Sequence, residues 1–168
     1  MLSLAPLQLS DIGEMVAVFQ TIGWGGKDRE QFERYLREQA EDARAVLLAR
    51  WDGAFAGYVT VLWRSPYDLF AAQDIPEVRD FNVLPAFRRR RTGSALMDAA
   101  ERLIAARSPV AGIGVGLHHD YGAAQRLYVL RGSVPDALGI TSHGRRTNWG
   151  DIVPIDDDLV LWLTKRFA

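Results

Sequence analysis

Apolar positions along this chain switch repeatedly between a period of two and a period of three to four. Leu2–Leu9 alternates apolar and polar residues and predicts an edge strand, where Pro6 is tolerated. Ser10 or Asp11 can then cap a helix running to about Thr21, because Ile12, Met15, Val16 and Phe19 share one face. Gly23-Trp24-Gly25-Gly26 breaks it, and Asp28 can cap a second helix through about Ala43, with Phe32, Tyr35, Leu36 and Gln39 in series. Ala45–Trp51 and Ala54–Trp63 read as two strands joined by an Asp52-Gly53 hairpin turn. Arg64–Pro76 reads as loop, and Glu77–Leu84 as a strand stopped by Pro85, which lacks the N–H a ladder needs. Ser94–Ala106 repeats Leu96, Ala99/Ala100 and Leu103 at helical spacing. Ala111–Leu117 is a strand with glycine at alternate positions, and Tyr121–Arg131 is a helix closed by Gly132. Val134–Gly150 is rich in turns, with one strand near Leu138–Ser142, and Leu159–Thr164 is a last strand. This mixed order predicts an α/β sheet with helices on both faces.

Composition narrows the class. A chain of 168 residues without repeats or low-complexity linkers predicts a single domain over 1–168 with one core. The absence of cysteine excludes disulfides, a thiolate zinc site and a cysteine nucleophile. The three histidines lack the spacing of a metal site, so no metal is expected. A net charge of −1 argues against a general nucleic-acid binder. No stretch approaches the roughly 20 apolar residues of a membrane helix, and the N-terminus lacks a basic leader. The expectation is a cytoplasmic protein with no membrane partner.

The chemistry concentrates between Asp80 and Ala106. A strand runs into four consecutive arginines, Arg88–Arg91, and then into a helix N-terminus at Gly93. The first turn of a helix leaves backbone N–H groups unpaired and carries partial positive charge, which suits a phosphate-bearing ligand. The arginines add forked donors at the same point. A nucleic-acid reading of this run is weak, since it is short and no aromatic residues interleave with it.

This stretch resembles motif A of the GNAT superfamily of N-acetyltransferases, a strand ending V-x-P followed by R/Q-x-x-G-x-G/A and a helix. Val83-Leu84-Pro85 and Arg88 to Gly93 match it, with Arg91 standing at the first glycine. The later helix resembles motif B at Ala124, Leu127, Tyr128 and Gly132; Tyr121 stands at its asparagine and Ser133 at its final aromatic. The resemblance covers nearly the whole chain. It implies a GNAT-type mixed, mostly antiparallel sheet of six to seven strands with helices on both faces. It also implies direct transfer of an acetyl group from acetyl-CoA, as co-substrate, to a primary amine on a small molecule or protein. Family members are commonly homodimers.

Site residues follow from the same resemblance. Acetyl-CoA would lie along Phe81, Asn82 and Val83, with the Val83 N–H facing the thioester oxygen, and would bind at Arg88, Arg89, Arg90, Arg91, Thr92, Gly93, Ser94 and Tyr121. A protonated alkylamine is only about 0.04% neutral at pH 7, so a base is needed. Glu77, eleven residues before Arg88, or Asp80 would serve, Asp80 requiring a bulge to face the same side. Tyr128 would protonate the departing thiolate. His118 is an alternative base or a plain loop residue, and Asp156–Asp158 reads as a solvated turn. Gly112, Gly114 and Gly116 admit close approach by a ligand or a packed helix, and the family favours the ligand. Trp24, Trp63, Tyr67 and Phe70 would form an acceptor pocket or core. The departures at Arg91, Tyr121 and Ser133 motivate an alternative, a GNAT-fold acyl-CoA-binding protein without catalysis.

Overall fold

A computed structural model describes residues 1–167 and builds them into two compact units. The first comprises Met1–Trp63 and Arg79–Leu103; the second comprises Arg64–Val78 and the chain from Ile104 onward.

The first unit opens with β1 (Leu2–Pro6), α1 (Ile12–Thr21), α2 (Arg29–Ala40), β2 (Arg44–Trp51) and β3 (Ala54–Leu62). Asp28 caps α2 as its sequence predicts, its carboxylate accepting from the Gln31 N–H at 2.8 Å. The β2–β3 turn has positive φ at both Asp52 (47°) and Gly53 (88°), the backbone that matches a twisted hairpin. Strands β1 and β3 flank β2 antiparallel, and Arg79–Val83 of β4 (Glu77–Val83) extends the order to β1-β2-β3-β4. Gly57 is required there, because a Cβ would lie 2.3 Å from the Asn82 carbonyl oxygen. The core gathers Ile12, Met15, Phe19, Phe32, Val46, Leu48, Phe55 and Tyr58. The Phe19 ring stacks on Phe32 and meets Tyr58 edge-on, each centroid 6.0 Å away. Burying side chains of this size is worth roughly 1.5–3 kcal/mol each. Helix α4 (Thr92–Ala105) buries Leu96, Met97 and Ala100.

The second unit contains α3 (Asp68–Ala71), the first two residues of β4, β5 (Val110–Gly116), α5 (Gly122–Leu130), β6 (Val134–Ser142), β7 (Arg145–Arg146) and β8 (Leu159–Arg166). Glu77 and Val78 pair in parallel with Gly112 and Ile113, and the β4–β5 ladder ends there. The order continues β5-β8-β6-β7, all antiparallel. Tyr67 stacks on Trp162 at 4.1 Å with the rings 3° apart, and Phe70 packs edge-on against both.

Four expectations change. The mostly antiparallel sheet has eight strands rather than six to seven. Positive φ at Ala137 and Gly139 breaks the alternation inside β6, so its first half does not read as strand and β7 is too short to read at all. A short helix interrupts the Arg64–Pro76 segment. The alternate glycines of β5 are filled by the chain's own side chains: an added Cβ would lie 2.2 Å from the Phe70 ring at Gly112, 2.9 Å from Trp162 at Gly114 and 2.5 Å from Tyr121 at Gly116. The ligand reading of these glycines is therefore replaced by packing. Tyr67 and Phe70 are core, and Trp24 is half-buried beside Phe19.

Candidate active site

In the first unit, the β4–α4 connection forms the predicted turn. Arg88, Arg89, Arg90 and Arg91 are all exposed. Arg89 and Arg91 take left-handed backbone, with φ of 59° and 63°. An L-residue there costs roughly 1–2 kcal/mol, so Arg91 holds the conformation a glycine would adopt freely. Left-handed residues thus lie on either side of Arg90, and mixed-handed backbone of this kind can point successive amides at an anion. Arg88 bonds the Val83 carbonyl at 3.2 Å and its guanidinium lies 5.7 Å from the centre of the Trp24 ring. Arg90 lies 5.9 Å from that of Phe87.

Thr92 anchors the start of α4. Its hydroxyl is buried, donates to the Phe87 carbonyl and accepts from the Trp51 indole, each at 3.0 Å. What Thr92 offers a ligand is thus its backbone N–H. Gly93 packs close to Phe81, and a Cβ there would lie 3.1 Å from the ring. Gly93 and Ser94 lie in the first turn of α4, where backbone donors are available.

Asp80 sits in β4 with φ of 50°, a left-handed residue that breaks the alternation of the strand. Its carboxylate is the centre of a buried polar cluster. Oδ2 accepts from Gln31 Nε2 and Tyr35 OH, both at 2.9 Å, and from Tyr58 OH. Oδ1 accepts from Asn82 Nδ2 at 2.8 Å and forms an ion pair with the Lys27 ammonium. Lys27 and Asp80 expose only 18% and 14% of their side chains. Burial alone would raise the Asp80 carboxyl, but the Lys27 charge and the bonds from Lys27, Tyr58 and Asn82 outweigh it and hold the group below the usual carboxylate range. Burial, then the Asp80 charge, pushes Tyr35 up to about 12 and Tyr58 well above its ordinary value. Both phenols stay protonated and donate. Arg44, itself buried and bonded to Glu38 at 2.5 Å and Thr60 at 2.7 Å, covers the Tyr35 ring at 4.1 Å.

In the second unit, Glu77 is 3% exposed, and its carboxylate accepts from the Ser65 hydroxyl at 2.5 Å; Ser65 in turn accepts from the Tyr67 N–H at 3.0 Å. Tyr128 is buried on α5, and burial, followed by the neighbouring Tyr121, raises its hydroxyl far above the ordinary value. Tyr121 lays its ring over Gly116 and donates its hydroxyl to Asp157 at 3.0 Å, so that hydroxyl is engaged within the protein. His118 lies 3.1 Å from Asp157. Two His/Asp groups bring ligand-type atoms within 4.8 Å of one another, His118/His119/Asp120 and His143/Asp156/Asp158, on largely exposed side chains.

Sequence reading missed four partners of Asp80: Lys27, Gln31, Tyr35 and Tyr58. One signal was available. Of the chain's 20 basic residues 18 are arginine, and only Lys27 and Lys165 are lysine. Lysine presents a single, compact ammonium where arginine would present a planar fork.

A strand, a left-handed basic turn and an amide-rich helix start thus follow one another in the chain. The family model described as acetyltransferase (GNAT) family matches residues 10–132, and the chain belongs to that family. No curated protein matches. Among solved structures, a GNAT-family acetyltransferase from Desulfovibrio desulfuricans superposes with a TM-score of 0.73 at 14% identity, covering 99% of each chain. A GNAT-family acetyltransferase from Streptococcus pneumoniae gives 0.69 at 19% identity, over 99% of this chain and 100% of that one. A ribosomal-protein-alanine N-acetyltransferase from Brucella melitensis gives 0.72 at 16% identity, over 98% and 99%. At these identities the likeness speaks to the fold. No helix among the described residues is long and apolar enough to cross a membrane.

Proposed function

We propose that this acetyltransferase is an acetyl-CoA-dependent N-acetyltransferase that transfers directly to a primary amine. One observation carries the reading: β4 leads from a buried, ionised carboxylate at Asp80 through Phe81, Asn82 and Val83 into the left-handed arginine turn. A carboxylate that attracts an ammonium thus lies three residues from the backbone N–H proposed to face a thioester oxygen. In this reading the amides and arginines of residues 88–94 hold the carrier's diphosphate. Arg91 supports the binding role, since it keeps the φ of the glycine it replaces.

Asp80 is the acceptor-facing acid. Glu77 is engaged with Ser65 and supports the loop ahead of Tyr67, which favours a structural role for it. The acceptor's ammonium gives one proton to Asp80, and its nitrogen then attacks the thioester carbonyl carbon. The new C–N bond forms as the C–S bond breaks, with negative charge on the carbonyl oxygen met by the Val83 N–H. The thiolate takes the Tyr128 proton, the attacking nitrogen loses its second proton to water, and Asp80 then releases its proton to solvent while Tyr128 regains one. Tyr128 carries the proton this step needs, and burial makes its hydroxyl a weaker acid than a free phenol.

Two measurements test the reading. Acetyl-CoA should raise the thermal midpoint, a ligand at 100 times its Kd adding about 2.7 kcal/mol. A panel of primary amines should release free coenzyme A thiol. Binding without thiol release across the panel would support the non-catalytic alternative, and no thermal shift at millimolar acetyl-CoA would reject both.

A further inference from the structure

We propose that Lys27 is a built-in occupant of the acceptor's ammonium site, and that the acceptor is an unhindered primary ammonium on a methylene stem which displaces it to reach Asp80. The inference rests on the reading of Asp80 as the acceptor-facing acid.

Five groups donate to Asp80. Gln31 and Tyr35 come from α2, and Tyr58 and Asn82 from strands, so four of them are fixed by regular structure. Lys27 alone comes from the α1–α2 loop. Trp24 anchors the front of that loop on Phe19, and the glycines after it leave room for movement. Gly23 and Gly26 both have φ of 72°, and no atom lies within 4 Å of the Cβ position at Gly23, Gly25 or Gly26. Asp28, immediately after Lys27, is pinned as the α2 cap, so movement hinges at Gly25-Gly26.

The occupant reports the chemistry of the site. It is a single ammonium on a straight four-carbon stem, and its nitrogen lies 5.7 Å from the centre of the Tyr58 ring. An arginine would bind a carboxylate by two parallel bonds and leave slowly; a lysine presents one exchangeable ammonium. The choice of lysine here, in a chain where 18 of 20 basic residues are arginine, fits an ion meant to be exchanged. Withdrawal leaves the carboxylate charged. Lys27 is the strongest influence holding Asp80 down, but Tyr58 and Asn82 still donate to it when Lys27 leaves, so an anion remains to receive the incoming ammonium.

The probe is n-butylamine, which reproduces the lysine side chain, with n-butanol at equal concentration and ionic strength as the uncharged control. In the wild-type protein, amide hydrogen exchange at 22–27 should quicken several-fold with butylamine and stay unchanged with butanol. In Lys27→Met, which keeps the stem and removes the charge, butylamine should raise the thermal midpoint more than in wild type, and Lys27→Met/Asp80→Asn should lose that response. With acetyl-CoA present, Lys27→Met should lower KM for butylamine about tenfold if the site is open in about a tenth of wild-type molecules. A butylamine-driven exchange response without thiol release would sustain the ammonium site and reject the transferase reading alone. Unchanged exchange in wild type, or a raised KM in Lys27→Met, would overturn the proposal and make Lys27 a structural ion-pair partner. The exchange arm needs no variant to fold.

Discussion

Each unit bonds tyrosine hydroxyls to an aspartate, with opposite consequences. In the first, Tyr35 and Tyr58 donate to a carboxylate that exposes 14% of its side chain. In the second, Tyr121 and His118 meet Asp157, which exposes 80%. Water around Asp157 screens its charge, so little depends on its partners. Around Asp80 little water is left to do that. The donors there stand in for water, so the loss of one is felt by the rest of the network. The same pair of residue types is a surface contact in one place and part of a buried charge network in the other. Burial decides which.

The largest expected effect comes from breaking the buried member. Asp80→Asn should cost about 3 kcal/mol by removing the carboxylate that Gln31, Tyr35 and Tyr58 share, measured by urea unfolding. It should also lower amine-dependent thiol release by about 10²–10⁴-fold. Acid titration sharpens this. A depressed carboxyl contributes stability above its unfolded pKa near 3.8 that is lost as pH falls through its lower folded value. Wild type and Asp80→Asn should therefore converge only below about pH 4. Tyr128→Phe should lower turnover by about 10²-fold and leave acetyl-CoA binding intact, and unchanged turnover would remove it as the acid.

Packing effects come next. Gly112→Ala would drive a methyl group into the buried Phe70 ring and should cost about 1–3 kcal/mol, read as a lowered thermal midpoint. Tyr67→Phe removes a bond to Asp136 at 3.1 Å and should cost about 1 kcal/mol. Burial, then the Asp136 charge, raises Tyr67 to about 12, and Tyr35 reaches about the same value. A raised tyrosine contributes stability that is complete below its unfolded value of 10 and is lost as pH rises toward 12. Tyr67→Phe should remove part of this alkaline loss and leave the part due to Tyr35. The smallest change should be Asp157→Asn, within about 0.5 kcal/mol in the same unfolding assay. A cost as large as that of Asp80→Asn would end the comparison.

Most elements were legible because their signals are local. The Asp28 cap, the Asp52-Gly53 turn, the Gly132 stop and the apolar periods of α1, α2 and α4 each depend on residues a few positions apart. The arginine turn was legible for the same reason, as a tight basic connection ahead of a helix, and the structure added the left-handed backbone at Arg91. The first half of β6 and the two-residue β7 were not, since a bulge erases alternation and two residues carry no period. Nor was the role of the β5 glycines: the rings that fill them include Phe70, 42 residues from Gly112 (112 − 70), and no local rule names such a partner.

The sequence by itself determined which stretches are strand or helix, where the chain turns, and that a strand enters an amide-rich, arginine-flanked helix start. Those follow from backbone preferences and side-chain periods, which act over one or two turns of chain. Only the tertiary structure decided that Asp80 is the carboxylate gathering Lys27, Gln31, Tyr35, Tyr58 and Asn82. Desolvation and charge pairing depend on distances through space, and residues 27 and 80 are brought together by the fold alone.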